Sequence, residues 1–147
     1  MRHNKVFSAA IALCMIGCFT MGSVPSASAS PPTPVPVTIT AVFDSGTFPN
    51  LSGTFTTSGA LTISGASFMR VDLNPFNGVR AHCVVTLTAS NGTGTIIIDQ
   101  QCQFATSPPK GRWEIVSGSG AYANLNGNGS LLMPPDTEAM TGFIYLH

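Results

Sequence analysis

The chain has 147 residues, six Lys and Arg against six Asp and Glu, 8% charged residues, 15 Gly and 11 Pro. That length holds one ordinary domain, and zero net charge without a basic run excludes a phosphate-driven nucleic-acid binder. With 44% hydrophobic residues and nine Phe, the composition is neither that of a disordered chain nor that of a coiled coil, and it reads as a small all-β domain.

The first thirty residues read as an address. Arg2, His3 and Lys5 make a short cationic start, an apolar run follows from Val6 to about Met21, and Gly22-Ser23-Val24-Pro25 breaks it. Ala27-Ser28-Ala29 meets the small-residue cleavage rule, so residues 1–29 are expected to be a secretory signal peptide, cleaved near Ala29 to release a secreted or periplasmic protein. The apolar run is shorter than the ~20 residues a spanning helix needs. Met15-Ile16-Gly17-Cys18 loosely resembles a bacterial lipobox, which leaves lipoprotein processing at Cys18 as an alternative. The remaining chain, from Ser30, carries four cations against six acids and shows no further candidate membrane span. Cys14 and Cys18 lie in the leader. Cys83 and Cys102 are then the only mature pair, and in an oxidising compartment they most simply form one disulfide.

Residues 30–36 are Pro-rich and predict an extended lead-in, followed by one domain over 37–147. From Val35 the apolar residues Val35, Val37, Ile39, Ala41 and Phe43 alternate with polar ones, which is the period of a strand. Short strands are predicted at Thr54–Ser58 and Ala60–Ile63, bounded by Gly53, Gly59 and Gly65, and another at Phe68–Leu73. The clearest hairpin joins Val79–Ser90 to Thr95–Phe104 across Asn91-Gly92-Thr93-Gly94. With Gly92-Thr93 as its tip, Cys83 faces Cys102, Val85 faces Gln100, Leu87 faces Ile98 and Ala89 faces Ile96, all on one face. A disulfide there would close a loop of 18 residues and contribute roughly 3 kcal/mol. Strands Arg112–Val116, Ser130–Met133 and Ala139–Leu146 complete the chain, with a single helical turn near Ala121–Leu125. Eight or so short strands without a covering helix must close into an antiparallel eight-stranded β-barrel or pack as a β-sandwich. An eight-stranded barrel is just wide enough to be filled by side chains or to hold one small ligand.

Few constellations carry chemistry. Gly118-x-Gly120-x-x-Ala123 superficially matches a dinucleotide fingerprint but lacks the βαβ context, so no nucleotide cofactor is expected. No HExxH or CxxC spacing exists, and Asp136-Thr137-Glu138 alone is a poor calcium set; no metal is expected. No GxSxG is present, and no catalytic residue is assigned. The candidate ligand-binding residues are Arg112, Glu114 and His82. If Trp113 and Ile115 point one way, Arg112 and Glu114 share the other face, forming a site if that face is inside a barrel and an ordinary surface pair if outside.

The segment Trp113-Glu-Ile-Val-Ser-Gly118-Ser-Gly120-Ala-Tyr122-Ala-Asn-Leu125-Asn-Gly127-Asn-Gly129-Ser-Leu131 resembles the strand, Gly-x-Gly, aromatic, apolar, Gly signature of the allene oxide cyclase/dirigent superfamily. The physical sense of the pattern is a sharp strand exit at Gly118 and Gly120 by positive φ, a barrel-end plug of Tyr122 and Leu125, and a following strand started by Gly127 and Gly129. The resemblance implies an eight-stranded antiparallel barrel with an apolar cavity. It also implies cofactor-free shaping of a reactive small molecule, by cyclising an epoxide or steering phenoxy-radical coupling. Only these structural positions carry over.

Three functions follow as expectations. The first is a secreted barrel binding a small apolar or aromatic ligand without turnover. The second is a cofactor-free cyclase or isomerase, favoured by an ionisable group inside. The third is a structural or surface-interaction protein with a filled barrel. An open interior of roughly 300 Å³ or more separates the first two from the third.

Overall fold

The computed structural model describes residues 31–76 and 78–146. The expected signal peptide, the lipobox at Cys18 and the cleavage site at Ala29 lie outside these residues. Among the described residues no helix is long and apolar enough to cross a membrane.

Eight strands, β1 (Thr33–Thr47), β2 (Asn50–Gly59), β3 (Ser64–Leu73), β4 (Arg80–Ala89), β5 (Thr95–Gln103), β6 (Lys110–Gly118), β7 (Asn126–Leu132) and β8 (Thr137–Leu146), form a closed barrel in chain order. Every neighbouring pair is antiparallel, and β1 closes on β8. Closure removes the open edges that a sandwich would leave, so the barrel alternative is the one realised. Alternation decides each strand's faces: in β4, Ala81, Cys83, Val85, Leu87 and Ala89 are buried, while the even positions face outward.

Three predicted elements differ. β1 begins at Thr33, within the stretch expected as a lead-in, and Thr33–Pro36 pair with β8. The Pro36 carbonyl accepts from Ala60 N at 3.0 Å, so its backbone edge faces β2 and not β8. A proline there costs β8 no ladder bond. Residues 60–63, predicted as a strand, are instead the β2–β3 connection, held by Thr57: its Oγ1 donates to the Leu61 carbonyl at 2.8 Å and accepts from Ile63 N at 2.9 Å. The third difference is the register of the β4–β5 hairpin. Cys83 faces Gln100 and Ala81 faces Cys102, a shift of two residues from the expected pairing of Cys83 with Cys102. The tip centres on Asn91-Gly92, because Asn91 Oδ1 accepts from both Thr93 N and Thr93 Oγ1, at 3.1 and 2.6 Å, an Asx turn that competes successfully with a turn at Gly92-Thr93. Since the slip is by two, the same eight side chains still share the inner face.

Between β6 and β7 the chain makes a 3-10 turn over Gly120–Tyr122. Gly120 alone of the two expected exit glycines has positive φ, at 59°; Gly118 is the last residue of β6. Tyr122 is buried, and its Oη lies 2.6 Å from Thr93 Oγ1, tying the plug to the β4–β5 tip. Leu125 is half-buried against the core. Trp113 is the largest core side chain, and its Nε1 donates to the Ser130 and Thr141 carbonyls at 3.1 and 3.2 Å. Gly129 and Gly142 face each other in the β7–β8 ladder and make room for the indole. A Cβ on Gly129 would lie 2.7 Å from Trp113 Nε1, and one on Gly142 would lie 2.8 Å from Cζ2.

Candidate functional site

Two sets of polar groups stand out, one inside the barrel and one outside. The inner set spans the core from β5 to β8. Gln100 and Glu138 are both buried, at 0% and 1% exposure. Gln100 Nε2 donates to Glu138 Oε1 and also reaches Met140 Sδ at 3.4 Å. Cys102 Sγ lies 3.9 Å from Gln100 Oε1 and 3.5 Å from Cys83 Sγ. Both cysteines are free in the structure, with the two sulfurs in contact. Their contact is diagonal across the ladder, a consequence of the two-residue shift, and not the direct opposition expected from sequence.

Burial pushes the Glu138 carboxyl up to about 7, against the lowering effect of its bond from Gln100. A carboxyl without water around it loses more by ionising than one amide donor returns. Glu138 Oε2 has no hydrogen-bond partner. The Cys102 thiol is raised far above the ordinary thiol range by its contact with Cys83, by burial, and by the nearby Cys83 and Glu138 charges. Such thiols are poor nucleophiles. Glu138 has the proton affinity of a general acid–base near neutrality, but it sits among close-packed side chains. The concavities that stand out among the described residues are open grooves on the outer surface and rims, not chambers within the barrel.

The outer set contains all three predicted ligand-binding residues. Arg112, Glu114 and His82 are exposed on the outward faces of β6 and β4. Trp113 and Ile115 take the inside. The ladder aligns His82, Gln101 and Arg112 across β4, β5 and β6, with Val84, Asp99 and Glu114 as the next row. His82 Nε2 pairs with Asp99 Oδ2 at 2.8 Å. Arg112 and Glu114 make no ion pair among the described residues, so the expected surface pair is an adjacency only. Two open grooves meet here: one of about 740 Å³, whose lining includes Arg80, His82, Lys110 and Arg112, and one of about 690 Å³ along Asp99, Arg112 and Glu114.

Asp136 and Glu138 are not brought together. Asp136 is exposed in the β7–β8 turn and Glu138 points inward. β8 starts at Thr137 and not at the predicted Ala139, so Glu138 joins the inward alternation with Met140 and Ile144. Gln100 already lay on the predicted inner face.

In comparisons with protein-family models, curated proteins and solved structures, nothing matches this chain.

Proposed function

We propose that this is an exported, non-catalytic β-barrel that acts through its outer surface, its interior being occupied by its own side chains. One observation carries the reading. Trp113, Phe55, Leu87, Ile98 and Met140 are among twelve large side chains essentially withdrawn from solvent, and Gln100 and Glu138 are bonded to each other across the same space. An eight-stranded barrel either is filled by side chains or holds one small ligand, and this set of withdrawn side chains weighs against an apolar ligand inside. The leader-like residues 1–29 support export. The test is titration with a neutral apolar fluorophore, N-phenyl-1-naphthylamine. No saturable enhancement and no thermal shift are expected, whereas stoichiometric binding overturns the reading.

Glu138 favours a second reading, the cofactor-free cyclase or isomerase that the resemblance of the Trp113–Leu131 segment implies. An ionisable group near neutrality inside a barrel is what proton transfer on an apolar substrate needs. It requires an interior that opens, and the same fluorophore titration, repeated with Glu138→Gln, separates it from the first.

A further inference from the structure

We infer that the outer face of β4–β6 is a binding site for an acidic oligosaccharide, a sugar chain bearing carboxylate or sulfate groups. The inference deepens the outer-surface reading above and rests on it.

The chain from residue 31 onward has only four permanent cations, Arg70, Arg80, Lys110 and Arg112, and three of them line one groove. The ladder sets them on a grid. Arg80, Gln103 and Lys110 form the row nearest the rim, and His82, Gln101 and Arg112 form the next. Strand spacing separates the ends of each row by about 10 Å, and the two rows by about 7 Å. Asp72 on β3 lines the same groove opposite His82 and takes Arg70 at 3.3 Å, and Asp99 on β5 takes His82 at 2.8 Å. Arg80, Lys110 and Arg112 have no ion pair among the described residues. Three cations without an ion pair thus share one groove, among residues 31–147 where six acids face four cations, and a bound anion offsets their mutual repulsion.

The amides indicate the rest of the ligand. Gln103 stands between Arg80 and Lys110 and Gln101 between His82 and Arg112, and Asn74, whose Oδ1 already accepts from Phe76 N at 2.9 Å, also lines the groove. An amide both donates and accepts, which suits hydroxyls, while a bare phosphate or sulfate accepts only. Alternating cations and amides thus match a chain that alternates anionic groups with hydroxyls. Two residues beyond Asn74, Phe76 is 94% exposed, an apolar ring of the kind that stacks on the C–H face of a sugar. Nucleic acid fits worse. The row of Asp99 and Glu114 lies directly beside Arg112 and limits the cationic grid to two rows, too few for a long phosphate track, and the amides between the cations suit hydroxyls, which a DNA backbone lacks.

The test uses calorimetric titration of the protein with an oligogalacturonate (carboxylate), a dextran sulfate oligomer (sulfate), neutral dextran and an oligothymidylate of matched charge. Saturable binding of one or both acidic sugars is expected, with none to neutral dextran and at least about tenfold weaker binding to DNA. Lys110→Gln/Arg112→Gln should weaken the sugar about tenfold or more, since charge-assisted bonds are lost. Glu114→Gln should leave binding unchanged or tighten it; both variants are exposed and checked for unaltered far-UV dichroism. Which sugar binds identifies the anionic group. Failure of both acidic sugars, equal binding of DNA, or unchanged binding by the double variant overturns the inference. Binding of N-phenyl-1-naphthylamine in parallel samples overturns the outer-surface reading instead.

Discussion

Glu138→Gln isolates the buried carboxyl. In the folded protein burial raises Glu138 from its ordinary value of 4.5 to about 7. Between those two values the folded state therefore binds a proton that the unfolded state has released. Stability is fully present below pH 4.5, falls as pH rises through the interval, and levels off above pH 7. A difference of about 2.5 in pKa corresponds to about 3 kcal/mol. Glutamine keeps the oxygen that accepts from Gln100 Nε2 and never ionises. At pH 4.5 the variant should match the parent within about 1 kcal/mol, and at pH 8 it should be the more stable by about 3 kcal/mol, or roughly 10 °C in Tm for a domain of this size. Urea denaturation of both proteins at pH 4.5, 6, 7 and 8, with equal m-values as the check that the unfolded states are alike, reads the effect. The other ionisable groups are common to both proteins and cancel in the difference. Parallel stability curves across this range, or a parent more stable at pH 8, refute the reasoning.

Gly129→Ala should destabilise the barrel by about 1–3 kcal/mol or more through overpacking, because its Cβ would meet Trp113 Nε1 at 2.7 Å and the Thr141 carbonyl at 2.1 Å; a fall in Tm with a red shift of tryptophan emission checks it. Oxidation by diamide should join Cys83 to Cys102, whose sulfurs already touch at 3.5 Å, with loss of two hydrogens by intact mass. A gain of about 3 kcal/mol in stability is expected from that loop closure, and thiols that stay free in folded protein under oxidant speak against it. N-terminal sequencing of exported protein should start near Ser30, and material retaining residues 1–29 or carrying diacylglycerol on Cys18 contradicts the export reading.

Local patterning carried the strands. The alternation of Val37, Ile39 and Ala41, or of Cys83, Val85 and Leu87, is decided within a few residues, because successive side chains of a strand point to opposite faces, and their shared burial follows. The count of strands without a helix then left a closed barrel or a sandwich, and the pairing of β1 with β8 decides for the barrel. Trp113 as core and Arg112 with Glu114 on the opposite face were legible for the same reason. Register was not, because a slip of two preserves every face. Only the Asx turn at Asn91 and the cross-strand ladder chose Gln100 over Cys102 as the partner of Cys83. Nor could the sequence bring Gln100 and Glu138 together, 38 residues apart and on strands that are not neighbours. The barrel's closure does that, and by removing water from Glu138 it makes an ordinary carboxyl titrate near neutrality. Register, in turn, assembles Arg80, Lys110 and Arg112 into one groove, since the pairings of β4 with β5 and of β5 with β6 decide which outward side chains share a row.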